Sequence, residues 1–263
     1  MSSHAQRILT GLVLILALGY FVFWATSLQL ALGVLALSGM GMWEFFSLFW
    51  PGWEQVGLKA AGIALAVPVV LHGFLGISVL GSLLLCLWLI NTLFILQYAR
   101  GRNPDWPTLQ IVSLGLVYIP VALQFLVGMT SVEILLVLLS ASATDIFGFY
   151  FGSWWGRRRM LPAVSPKKTW MGACGGLIGC LGVSLALGLG LGAAAWPVWI
   201  GLGVTLNLAA QLGDFFVSAL KRVQNVKDSG RLLPGHGGLL DRFDSVLLVV
   251  PAYMLFQSVW PLF

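Results

Sequence analysis

Charge is scarce in this chain. Of its 263 residues only 9% are Asp, Glu, Lys or Arg, where soluble domains carry about a quarter. Cysteine is nearly absent too. Cys86, Cys174 and Cys180 all sit in apolar runs, and no pair has metal or redox spacing. They read as buried small hydrophobes, not as a disulfide framework. The text holds no Walker-type phosphate loop, no Rossmann fingerprint, no low-complexity tail and no convincing repeat. Together these absences exclude a soluble enzyme, a disordered chain, a coiled coil and a secreted disulfide scaffold.

Hydrophobic residues make up 59% of the chain. That length accommodates roughly nine membrane spans of about 20 residues each. The apolar runs fall near 8–25, 28–49, 58–73, 74–96, 109–127, 132–151, 171–193, 196–217 and 243–262. The first resembles a signal-peptide core, but no small-residue cleavage site follows, so it reads as a retained helix. The expected fold is an all-α polytopic membrane protein of about nine transmembrane helices. Residues 1–130 form an N-terminal transmembrane region and 131–263 a C-terminal catalytic one, within one integral membrane unit. Glycine-rich stretches at 172–179 and 188–192 predict close helix packing.

With nine spans and a cytoplasmic N-terminus, all 14 Lys and Arg fall on the cytoplasmic side. The opposite loops, near 26–27, 73, 128–131 and 194–195, hold none. This is the positive-inside asymmetry. Loops 152–170 and 219–242 together hold ten of the fourteen cations. Anchoring to anionic membrane lipids accounts for the triplet Arg157, Arg158, Arg159 as well as a site does. Nucleic-acid binding is disfavoured, because bases are interleaved with acids.

The segment 213–245 reads GDFFVSALKRVQNVKDSGRLLPGHGGLLDRFDS. Asp214, Asp228, Asp241 and Asp244 alternate with five bases, His236 and several glycines. An anchoring loop needs no carboxylates. Both signs together suit a site that holds a divalent cation beside phosphates: carboxylate oxygens take Mg²⁺, and Lys and Arg take phosphate charge. Gly235, Gly237 and Gly238 permit close backbone approach to a ligand. Asp241 and Asp244 are three apart and share a helix face. Asp214 lies inside apolar text, where a carboxylate is functional by default. Asp214 with Asp241 or Asp244 could converge on one metal. The same acids could instead pair with Lys221, Arg222 or Arg242 and stitch helices together.

This segment resembles the signature of the phosphatidate cytidylyltransferases, the CDP-diacylglycerol synthases. The matching residues are Ser218, Lys221, Arg222, Lys227, Asp228, Pro234, Gly235, His236, Gly237, Gly238, Asp241, Arg242 and Asp244. A second family element, Ser-Pro-Lys-Lys-Thr-x-x-Gly, is similar to Ser165, Pro166, Lys167, Lys168, Thr169 and Gly172. The resemblance is strong over about the last 120 residues, and the first 130 match only as hydrophobic spans. One departure stands out. The family's Asp-x-Gly-Ala-Tyr is replaced by Asp145-Ile-Phe-Gly-Phe-Tyr150, with Tyr150 displaced by one position.

The resemblance implies the reaction CTP + phosphatidate → CDP-diacylglycerol + pyrophosphate. It implies dependence on Mg²⁺ with a monovalent cation beside it, and a homodimer. It implies a multi-pass protein of the bacterial inner (plasma) membrane with its active site on the cytoplasmic side. Carried onto this chain, the metal ligands are Asp214, Asp241 and Asp244. Lys221, Arg222, Lys227, Asp228, His236 and Arg242 complete the catalytic set. Asp145, Ser165, Lys167, Lys168, Ser218, Gly235, Gly237 and Gly238 contact substrate. The alternatives are a lipid-alcohol kinase, a cytidylyltransferase for another lipid phosphate, or a transporter built on broken helices.

Overall fold

The computed structural model describes residues 3–101, 106–230, 232 and 237–263. Every regular element among them is helical: α1 (Ser3–Phe23), α2 (Ser27–Phe49), α3 (Val56–Ala64), α4 (Ala66–Val70), α5 (Val79–Ala99), α6 (Trp106–Tyr118), α7 (Pro120–Leu123), α8 (Ser131–Trp155), α9 (Trp170–Leu191), α10 (Trp196–Val223), α11 (Leu240–Phe243) and α12 (Val246–Val259). Several starts are set by side-chain caps. Thr26 and Gln29, and likewise Thr130 and Glu133, form reciprocal capping boxes. Ser78 accepts from the Gly81 N–H.

Among the described residues six segments are long and apolar enough to cross a membrane: α2, α5, Trp106–Gly128, α8, α9 and α10. Thr10–Phe23 and Val56–Val70 are apolar but shorter, and α12 has 14 residues. The expected third span is shortened by a break at Leu65. Pro68 supplies the cause, because its ring clashes with the carbonyl four residues back, at Ala64. Pro120 divides the expected fifth span in the same way, ending α6 at Tyr118.

The chain divides into two compact units, Met1–Gly128 with Ser229–Leu240, and Met129–Asp228 with Asp241–Phe263. In the first, α5 buries only a narrow stripe, Ser82, Cys86 and Ile90. Cys86 and Ile90 pack with Val69, Val112 and Leu116. Most of its remaining surface is exposed and apolar, Leu80, Leu84, Trp88 and Ile95 among it, as lipid contact requires, with Asn91, Thr92 and Gln97 also exposed.

In the second unit α8 and α9 lie against each other through glycine. A Cβ at Gly172 would stand 2.7 Å from the Gly148 carbonyl oxygen. One at Gly176 would stand 2.9 Å from that of Thr144, and one at Gly179 3.0 Å from that of Ala143. The expected close packing is therefore observed, and each glycine is needed for want of room. Gly175→Leu, whose Cβ alone would strike the Phe151 side chain, is expected to cost about 3 kcal/mol or more by overpacking. The check is a lowered thermal midpoint in detergent, with Gly182→Ala unchanged, since nothing lies within 4 Å of that position.

Candidate active site

The second family element owes its spacing to local geometry. Thr169 is the N-cap of α9, and its hydroxyl accepts from the Gly172 N–H at 3.0 Å. Gly156 leaves no space for a side chain beside Thr169, and Gly152 leaves little, an added Cβ there standing 3.1 Å from the Thr169 hydroxyl. The preceding loop folds back on itself. Trp170 N–H donates to the Arg158 carbonyl, and Met160 N–H to that of Lys168, both at 3.1 Å. The Arg159 guanidinium donates to the Lys167 carbonyl at 2.9 Å. The loop thus presents Lys167 and Lys168 at the head of α9. Ser165 lies in its turn, with its N–H on the Leu161 carbonyl.

Beneath this loop lies a cavity of about 510 Å³. Arg159, Lys167, Lys168, Asp145, Gln211 and Phe149 are among the residues that line it. Lys168 pairs with Asp214 of α10, and its ammonium sits 4.9 Å from the Phe215 ring centroid. Ser218, one turn further along α10, donates to Asp214 Oδ1 at 3.1 Å. Asp244 is 9% exposed, in the turn between α11 and α12. The charges of Asp214 and Asp145 both bear on it. α10 approaches this turn closely at Gly213, where an added Cβ would strike the Asp244 carbonyl. Ser245 donates weakly to Asp145 at 3.4 Å.

Lys168 thus stands by two carboxylates, Asp214 and Asp145, whose charges also reach Asp244. Like charges so placed repel unless cations stand beside them. Asp241 faces a different partner, Lys221, at 2.6 Å, with side-chain exposures of 14% and 11%. Arg222 donates to the Val164 and Val226 carbonyls, both at 3.3 Å. That ties the end of α10 to the loop before α9. Lys227, Asp228 and Arg242 are exposed.

His236, Pro234 and Gly235 lie outside the described residues. Gly237 has φ +84°, a left-handed backbone that favours glycine. Gly238 packs against Ser229 and Glu44.

The carboxylates offer only hard oxygen donors, the chemistry that suits Mg²⁺. Among the described residues no three His, Cys, Asp or Glu side chains are grouped as a finished metal site. Lysine ammonium groups stand at the oxygens of Asp214 and Asp241.

Some residues escaped the sequence reading. Arg159, assigned equally to lipid anchoring, lines the cavity. So does Gln211, whose amide donates to Asn207 Oδ1 at 3.0 Å. Asn207, Gln211, Asp214 and Ser218 recur at helical spacing along an apolar helix, a readable polar stripe. Tyr150 is exposed against Phe149 and Trp154, and the neighbouring Phe149 lines the cavity.

A model of the cytidylyltransferase family matches residues 5–260. A phosphatidate cytidylyltransferase of Pseudomonas aeruginosa is 34% identical over 97% of this chain and 98% of its own length. One from Rickettsia bellii is 31% identical over 66% of the chain and 84% of its own length. One from Staphylococcus aureus reaches 47% identity over 48% of the chain, where the chain spans about half the length of that relative, 49%. With matches running almost from end to end, and carboxylates and lysines gathered where the two sequence motifs fold, this chain belongs to the cytidylyltransferase family.

Proposed function

We propose that the protein transfers the cytidylyl group of CTP to phosphatidate, releasing pyrophosphate and forming CDP-diacylglycerol. A phosphatidate phosphate oxygen attacks the α-phosphorus of CTP. The bond to the bridging oxygen breaks, and pyrophosphate leaves with the electron pair. No general base is needed, because the attacking phosphate is already ionised. The obstacle is repulsion between two polyanions. The observation that carries this reading is the cavity under the Lys167–Lys168 loop, lined by Arg159, Lys167, Lys168 and Asp145, where Lys168 also pairs with Asp214. The names of the relatives support the same reaction.

Arg159, Lys167 and Lys168 neutralise phosphate oxygens at the cavity. Lys221, Arg222, Lys227 and Arg242 add positive charge, Asp228 belongs to the same catalytic set, Ser218, bonded to Asp214, stands with the substrate contacts, and His236, Gly235, Gly237 and Gly238 contact phosphate. Asp145 restrains Lys168 from the α8 side. Asp214, Asp244 and Asp241 would hold Mg²⁺, with a monovalent cation nearby. The metal would act as a Lewis acid on the α-phosphate and the leaving group. The placement we infer is a bacterial inner membrane, with nine helical crossings, a cytoplasmic N-terminus, the active site on the cytoplasmic face, and two copies per assembly. There the phosphatidate headgroup reaches the site from the bilayer and CTP from water.

A mixed-micelle assay of the purified protein tests the reaction. CTP, phosphatidate and Mg²⁺ together should yield CDP-diacylglycerol and pyrophosphate, and chelating the metal should stop turnover. ATP in place of CTP, or a polyprenyl phosphate in place of phosphatidate, should give no product. Product from either substitute would move the assignment to another CTP- or ATP-using lipid enzyme.

A further inference from the structure

Glu44 is an acid in the first unit with no place in the two sequence motifs. It lies on α2 and is 2% exposed. A carboxylate so far from water needs its oxygens met. Oε2 accepts from the Ser229 hydroxyl at 3.2 Å and from the Leu240 backbone N–H at 2.8 Å. Those donors flank the glycine-rich segment, one on each side. The glycines next to them are shaped to the same carboxylate. A Cβ at Gly230 would run into Oε1, and one at Gly238 would stand 2.8 Å from Oε2. Oε1 is buried with no hydrogen-bond partner among the described residues. A residue serving only as core would be apolar here, as its neighbours Phe45 and Phe46 are.

We propose that Glu44 is a positioning residue for the glycine-rich motif, holding Ser229 and Gly230 beside Gly238 and Leu240 by hydrogen bonds to Ser229 and Leu240. The inference rests on the reading above that this segment grips the phosphates of CTP. A segment anchored at both ends has fewer conformations to lose when ligand binds. Gly237 and Gly238, next to Leu240, can bring backbone N–H groups to a phosphate only where they are already held in place.

The test uses the full-length protein in micelles, with three variants. Glu44→Gln keeps an acceptor for both bonds and is expected to behave as wild type. Glu44→Leu removes the acceptor at similar volume. Its KM for CTP should rise about tenfold, the scale of losing two ordinary hydrogen bonds, while its KM for phosphatidate stays put. Hydrogen exchange at the Leu240 amide should accelerate in Glu44→Leu and not in Glu44→Gln. Ser229→Ala removes one of the two bonds and should raise the CTP KM about threefold. Should Glu44→Leu fail to fold, Ser229→Ala decides alone.

Unchanged CTP KM and unchanged Leu240 protection would overturn the proposal. So would a Gln variant as impaired as the Leu variant, because the hydrogen bonds would then not be what matters. Absence of any CTP-dependent product from the wild type would count against the proposed reaction instead. In that case Leu240 exchange still judges the anchoring role.

Discussion

Asp214→Asn is expected to reduce CTP-dependent turnover at least about a hundredfold, the scale of removing one preorganised electrostatic group from a transition state. The substitution changes shape hardly at all. The amide oxygen can still accept from Ser218, which bonds the present carboxylate at 3.1 Å. What is lost is an anionic oxygen able to hold a hard cation and to fix Lys168. The fold should survive, since Lys168 keeps the charge of Asp145 beside it and α10 becomes more apolar. Turnover per mole of protein, read beside the thermal midpoint in detergent, separates the two effects. Near-normal activity in the Asn variant would remove Asp214 from the metal site.

Lys221→Met should act on stability as well as on rate. The ammonium bonds Asp241 at 2.6 Å with both side chains largely hidden from water. Removing one partner of such a pair strands the other, at a cost of about 3 kcal/mol. The double variant Lys221→Met with Asp241→Asn removes both charges and should recover most of that loss. It should nevertheless remain inactive, since both groups belong to the proposed phosphate and metal machinery. Thermal midpoints of the two single variants and the double variant form the cycle. Full additivity would show that the pair is not coupled.

Glu133 shows why not every buried acid calls for a catalytic reading. It closes the capping box with Thr130, and it accepts from the Tyr253 hydroxyl and the Gln257 amide, both at 2.8 Å. Its oxygens are met, and it joins α8 to α12. Glu44 differs in having one oxygen without a partner among the described residues and the other spent on a glycine-rich segment.

Composition and periodicity already carried the helical membrane class, because a chain with so few charges cannot clothe itself for water. Two long runs break near Pro68 and Pro120, since a missing N–H and a ring clash act locally. The two motifs carried the family, and the Thr169 cap with its glycines shows why one of them has its spacing. The pairing of charges was beyond reach of the linear text. Lys168 meets Asp214 across 46 positions, Lys221 meets Asp241 across 20, and Glu44 meets Leu240 across 196. Such partners are chosen by how helices pack; for Lys168 at the head of α9, that packing includes the glycine contact of α8 with α9. Spacing along the chain could nominate the carboxylates, but which cation each one faces is a property of the folded helices.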